Sequence, residues 1–164
     1  MNDFCLALLC LLASAPTHAD EAFVSYGVGV FHDADQWLGQ MKIAEGGYRH
    51  FVFDGVYVQA KVGYWGEGSN DKERKNSAYA AVAPGMEVDL RPIELRGSYG
   101  VAIITTPDTQ LGTRFPQFNG EIYIGLRDRR GDGIGIEYQH FSCASFCSPN
   151  QGRDAAALQL SLKW

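Results

Sequence analysis

The feature that most constrains this chain is a period-two alternation of apolar and polar residues. It recurs eight times between Ala22 and the terminal Trp164. Successive side chains on a strand point to opposite faces, so each repeat is a strand with one greasy face. The first segment sets Ala22, Val24, Tyr26, Val28 and Val30 against Ser25, Gly27 and Gly29. The third sets Val56, Val58, Ala60, Val62 and Tyr64 against Gln59, Lys61 and Gly63. The fifth, sixth, seventh and eighth, centred on Leu95, Ile122, Ile136 and Leu160, repeat the pattern against Glu94, Arg96, Glu121, Arg127, Glu137 and Gln159.

Two segments are less regular. The second reads as Trp37, Met41 and Ile43 against Gln40 and Lys42, followed by a turn through 45–54. The fourth sets Ala78, Ala80, Val82, Met86, Val88 and Leu90 against Glu87 and Asp89, with Pro84 inside it. Proline cannot donate to a ladder, so a bulge is expected there. Between segments, short turns such as Arg91-Pro92 and Asp128–Asp132 take turns with longer polar stretches. GDGIG at 131–135 opens a strand rather than a helix, so it reads as a turn and not as a phosphate loop.

Eight strands with this alternation of connections predict an all-β fold, an eight-stranded antiparallel up-and-down transmembrane β-barrel. The polar face carries Lys42, Lys61, Arg96 and Arg127 beside Glu87, Asp89, Glu94, Glu121 and Glu137. An eight-stranded barrel has room inside for side chains only, so those charges would fill the lumen in pairs and leave the greasy face outside. Phe23, Phe31, Trp37, Tyr64, Trp65, Phe118 and Trp164 lie near segment ends, as interfacial girdles require. The soluble alternative is a lipocalin-like lipid carrier with the greasy face inside.

No run approaches the roughly 20 apolar residues of a spanning helix, and the mean hydropathy of −0.16 is that of an ordinary soluble chain. A transmembrane barrel has the same signature, because only alternate residues face lipid. The net charge of −5 comes with no basic stripe, which argues against nucleic acid as a partner. No cluster with metal-ligand spacing is visible, and no cofactor is expected.

The first nineteen residues read as a secretory signal: an apolar run from Phe4 to Ala15, then Thr17 and Ala19 at the −3 and −1 positions of a cleavage site. Cleavage after Ala15 is the second choice. The barrel domain is then 20–164, with 18 acids against 14 bases. Cys143 and Cys147 are the cysteines left in it, an even count in an oxidising compartment, where a loop staple is the simple reading.

With both termini periplasmic, the long connections (31–36, 66–76, 105–117 and 143–153) face outward from the cell. His140 and Ser142 then sit at the outer end of the seventh strand and Asp154 at the outer start of the eighth. Parity puts His140 and Ser142 on the face of Ile134, Ile136 and Tyr138, and Asp154 on the face of Leu158 and Leu160. All three point toward lipid. Residues two apart on a strand are about 6.6 Å apart, and direct cross-strand partners have Cβ atoms about 5 Å apart. That spacing allows an Asp154–His140–Ser142 relay in which the carboxylate orients the imidazole and the imidazole takes the hydroxyl proton. Equally, they are three polar residues at the headgroup level of a structural or partner-binding barrel.

The segment 136–154, IEYQHFSCASFCSPNQGRD, resembles the signature of the lipid A 3-O-deacylase family of outer-membrane barrels. That signature is His-x-Ser-Asn-Ala, then Pro-Asn-x-Gly, then an acid. His140, Ser142, Ala144, Pro149, Asn150, Gly152 and Asp154 match it in order and spacing. The resemblance implies hydrolysis of an ester-linked acyl chain of lipid A in the outer leaflet of the bacterial outer membrane, by a His/Ser/acid triad on the barrel exterior. Three positions depart from it. Cys143 replaces an Asn associated with the oxyanion hole, Ser145 replaces a Gly, and Asp154 replaces the commoner Glu, one methylene longer. Cys143, Ser145 and Asn150 are thus the weaker, oxyanion-side candidates. Backbone N–H groups could substitute, particularly in a loop held by a Cys143–Cys147 disulfide. Whether two barrels pair as a homodimer is not legible in the sequence.

Overall fold

A computed structural model of the chain describes residues 20–30, 42–66, 76–106, 114–146 and 152–164. The leader (1–19), Phe31, Trp37, Gln40, Met41, Cys147, Pro149 and Asn150 lie outside these residues. Eight strands form: β1 (Glu21–Val30), β2 (Lys42–Phe53), β3 (Val56–Gly66), β4 (Ser77–Leu90), β5 (Ile93–Ile104), β6 (Gln117–Arg127), β7 (Gly133–Ser142) and β8 (Arg153–Lys163). Each pairs antiparallel with its neighbours in sequence, and β8 pairs with β1 from Glu21↔Lys163 to Val30↔Asp154, closing the barrel. Asp20, Trp164 and the turns at 54–55, 91–92 and 128–132 lie at one end, and the strand ends joined by the longer connections lie at the other. At the first end Asp128 caps its turn by accepting the N–H groups of Arg130, Gly131 and Asp132 at 2.7, 2.9 and 3.0 Å. Gly131 takes a φ of +99° there, which a residue with a Cβ resists.

The lumen has two layers. Toward the loop end it is an apolar plug of Ile43, Trp65, Tyr79, Ile104 and Phe141, with the Phe141 ring 4.6 Å from Trp65 and 4.9 Å from Tyr79. Below it lies an ionic layer. Lys61 sits 2.9, 3.2 and 3.5 Å from Glu121, Glu45 and Glu137. Arg127 meets Glu94, Glu21 and Glu87 at 2.6, 2.7 and 3.1 Å. Arg96 reaches Glu94 at 3.0 Å and also bonds Glu21. Arg49 bonds Glu21 and lies 3.8 Å over the Phe23 ring. Buried charge is tolerable only when paired and hydrogen-bonded in this way.

The outer wall is the reverse. Val62, Ile122, Ile124, Leu158 and Leu162 are each more than half exposed. A continuous apolar exterior over an ionic interior is the inside-out distribution of a membrane barrel, and it overturns the lipocalin-like alternative.

Several expectations need correction. The stretch 45–53 is strand, and the turn is confined to Asp54–Gly55. The parity of β2 is inverted: Ile43 faces the lumen and Lys42 faces out. An apolar residue is at home inside at that level, because the plug is apolar. Asp89 is likewise exposed and bonded to Arg91 rather than to lumen cations. Phe23 and Trp65 are lumen residues, each 3% exposed, and not girdle residues. The β4–β5 ladder keeps one register across Pro84, from Val82↔Val101 to Gly85↔Ser98, so no bulge forms there. Pro84 points outward, and the ladder drops its neighbouring pairs without shifting. The irregularity instead falls in β2, between Phe51 and Phe53.

Candidate functional site

The site is built on the last hairpin of the barrel, at its loop end. Its alternation puts Tyr138, His140 and Ser142 on the outward face of β7, and Asp154 on the outward face of β8. The ladder makes His140 and Asp154 direct partners. His140 Nδ1 lies 2.6 Å from Asp154 Oδ1. Tyr138 Oη donates to the same oxygen, also at 2.6 Å. The imidazole is nearly half exposed, while the carboxylate is largely covered. An ionised carboxylate accepts only, so Nδ1 carries the proton and Nε2 is left as the basic nitrogen.

Ser142 closes β7, two residues beyond His140 and opposite Phe118 of β6. It shares the outward face of His140, and its hydroxyl is not hydrogen-bonded to the imidazole. The structure therefore joins acid and base directly, and brings the hydroxyl beside them without closing the last link.

Gly152, just before β8, has a φ of +72°. A Cβ at this position would stand 2.7 Å from His140 Cε1 and 3.0 Å from the Phe141 carbonyl oxygen. Only glycine lets the chain pass the imidazole this closely. Beyond Ser142 the backbone turns sharply. Ala144 has a φ of +49°, and a single 3-10 turn follows over Ala144–Phe146, with Phe146 N–H donating to the Cys143 carbonyl at 3.0 Å. A non-glycine residue in the left-handed region beside a hydroxyl is a pattern met at functional sites.

Cys143 turns inward, is fully buried and is disulfide-bonded. It has no S–H to offer an oxyanion; its backbone N–H is the only donor it could bring. Its disulfide partner and Asn150 lie outside the described residues, and Ser145 belongs to the 3-10 turn.

On the other flank of Ser142 stands a wall of aromatic rings. Phe118 stacks on Tyr99, with centroids 6.1 Å apart and planes 8° from parallel, and lies 5.9 Å from Phe146. Phe146 and Tyr99 are strongly exposed. Sequence reasoning missed Tyr138 and this wall as parts of the site, and it matched Gly152 to the signature without giving it a role against the imidazole. Tyr138 and Gly152 did carry a signal: both stand in the matched segment, two residues before His140 and before Asp154.

Among the described residues, Glu21, Glu87 and Glu94 are close enough together to hold a metal ion. Arg127 reaches all three, so the guanidinium occupies the centre a cation would need. A broad outward groove of about 970 Å³ over β1–β5, lined by Val24, Gly46, Val62, Tyr64 and Ile103, faces away from His140.

A closed barrel with an ionic lumen, an apolar exterior and an Asp–His pair on its outer wall is a membrane β-barrel whose candidate site opens toward lipid. The chain belongs to the lipid A 3-O-deacylase (PagL) family, whose model matches residues 22–163. That membership gives it a reaction class, hydrolysis of an acyl ester of lipid A, and a compartment, the outer membrane. The crystal structure of the outer membrane enzyme PagL is similar at 19% identity, covering 87% of this chain and 98% of that one, with a TM-score of 0.66. Ail, the attachment invasion locus protein of Yersinia pestis, is similar at 9% identity, covering 90% and 99%, with a TM-score of 0.56. At these identities both likenesses concern the fold. No curated protein matches the sequence.

Proposed function

We propose that the deacylation of this family is carried out here by Ser142, His140 and Asp154. His140 Nε2 takes the Ser142 proton as Oγ attacks the carbonyl carbon of the 3-O acyl ester. The proton passes to the departing sugar oxygen, leaving an acyl-serine. Water, deprotonated by the same nitrogen, then attacks the acyl carbon and releases a fatty acid, restoring Ser142. Asp154 holds Nδ1–H and stabilises the imidazolium formed at each step.

The observation that carries this reading is the 2.6 Å contact of His140 with Asp154 on the lipid-facing wall, beside Ser142. The acyl chain of a membrane lipid meets that wall without leaving the bilayer, and the Tyr99–Phe118–Phe146 rings offer it an apolar flank. The oxyanion is assigned to backbone N–H groups of the turn that follows Ser142, other than that of Phe146, with the turn held in place by a disulfide from Cys143 to Cys147. Residues 1–19 act as the export signal, and both termini face the periplasm, so the site lies in the outer leaflet with its substrate.

One observation favours a second reading, a non-catalytic barrel: Ser142 is not bonded to His140. Catalytic hydrogen bonds are often long before substrate binds, so the esterase reading stands ahead. Mass spectrometry of lipid A after incubation with the folded protein separates them. Loss of one hydroxyacyl chain with the wild type, and none with Ser142→Ala, is the expected result. Unchanged lipid A with a folded wild-type barrel leaves the non-catalytic reading.

A further inference from the structure

The described residues hold two copies of one outward-facing arrangement, at opposite rims. On β7 the run Tyr138-Gln139-His140-Phe141-Ser142 meets Asp154. On β2 the run Tyr48-Arg49-His50-Phe51-Val52 meets Asp20. In both, a tyrosine hydroxyl and the histidine Nδ1 two residues on reach one aspartate. The copies differ in two respects. Position 52 is valine where position 142 is serine, so the β2 copy has no nucleophile. At Asp20 the two bonds go to different oxygens, His50 to Oδ1 and Tyr48 to Oδ2. At Asp154 both converge on Oδ1.

From that convergence we propose that Tyr138 is a positioning residue for the Asp154–His140 pair, acting through the carboxylate and touching no substrate. This rests on the esterase reading above. An aspartate's terminal torsion is broad and roughly two-fold, so each donor on the carboxylate narrows the range it turns through. A second donor on the same oxygen helps to hold the plane of the carboxylate against the imidazole. Aspartate has little reach to spare across the ladder, which makes that orientation matter more. The Tyr138 hydroxyl is neutral and leaves the carboxylate its full charge for the imidazolium.

The two copies supply the control. Tyr138→Phe and Tyr48→Phe each remove one tyrosine–aspartate bond from the outward face, and only the first lies beside Ser142. Two readouts are taken on the folded, full-length barrel: lipid A deacylation, and the rate at which a fluorophosphonate labels Ser142. Tyr138→Phe is expected to lower kcat and the labelling rate by about tenfold to a hundredfold, the range seen when the outer partner that orients a metal-binding side chain is lost. KM should stay within about twofold, because no ground-state contact is removed. Tyr48→Phe should change neither readout. In an Asp154→Ala background, Tyr138→Phe should cost nothing further, since the group it acts through is gone. Equal effects of Tyr138→Phe and Tyr48→Phe, or a Tyr138→Phe loss that multiplies that of Asp154→Ala, would overturn the positioning role. If Ser142 labels at a rate that depends on Tyr138 while lipid A stays intact, the positioning stands and the substrate assignment falls. A wild-type Ser142 that does not label sinks both.

Discussion

His140 and Asp154 are direct partners in the β7–β8 ladder, with Nδ1 2.6 Å from Oδ1, on a largely apolar wall. Both strands are held on their other sides by closed ladders, so the pair is preorganised and not the product of a mobile loop. Asp154→Asn preserves the shape and removes the charge that selects the Nδ1–H tautomer. Turnover is expected to fall by about 10³- to 10⁴-fold. The heat-dependent gel migration typical of a folded barrel should not change, which separates a chemical loss from a folding one.

Gly152→Ala tests the close pass over the imidazole. The new Cβ would lie 2.7 Å from His140 Cε1, at a φ where a side chain costs about 1–2 kcal/mol. The ring has to move, and a displacement of about 1 Å can cost about 10²-fold in rate. Gly97→Ala is the matched control, because a Cβ there meets only the Glu121 carbonyl oxygen at an ordinary 3.7 Å. Deacylase assays on the pair should show the loss in the first alone.

The two lysines assigned to opposite faces make a stability prediction. Lys61 is buried among three glutamates, while Lys42 is exposed on the outer wall. Lys61→Met leaves uncompensated buried carboxylates and is expected to cost about 3–5 kcal/mol in urea unfolding. Lys42→Met should lie within about 0.5 kcal/mol of the wild type. Comparable losses from both would contradict the inward and outward assignments.

The disulfide of Cys143 bears on the oxyanion turn. Peptide mapping without reduction is expected to join Cys143 to Cys147. Reduction should leave the barrel folded, since its closure rests on ladders. It should lower turnover by less than the roughly 10²–10³-fold that a lost oxyanion donor costs, because the turn is loosened and its donors remain. A Cys143 found linked elsewhere would remove the proposed staple.

Much of the architecture was legible because a strand's two faces see different solvents. Over most of β1 and β3 to β8 the residue type told lipid from lumen, with Phe23, Trp65 and Asp89 as exceptions, and parity then placed His140, Ser142 and Asp154 outward. The rule failed where the lumen itself is apolar. Ile43 belongs to the plug with Trp65 and Phe141, so a reading that equates apolar with outward turned β2 over. The same reading sent Phe23 and Trp65 to the girdle, although Phe23 stacks on Arg49 and Trp65 lies under the Arg153 guanidinium at 4.9 Å. Gly46-Gly47 and the charged Arg49 hid the lower half of β2, which looked like a turn.

Sequence alone determined the strand count, the two-faced alternation and the candidate triad, because alternation and motif spacing are local properties, while the structure decided which face is outside. Tertiary structure decided which residues touch. That Tyr138 and His140 share one oxygen of Asp154, and that Gly152 lies against the imidazole, follows from the β7–β8 register and the turn into β8. Register depends on how eight strands close around a lumen of a given width and on which side chains fill it. It is a property of the whole ring of ladders, and no single segment contains it.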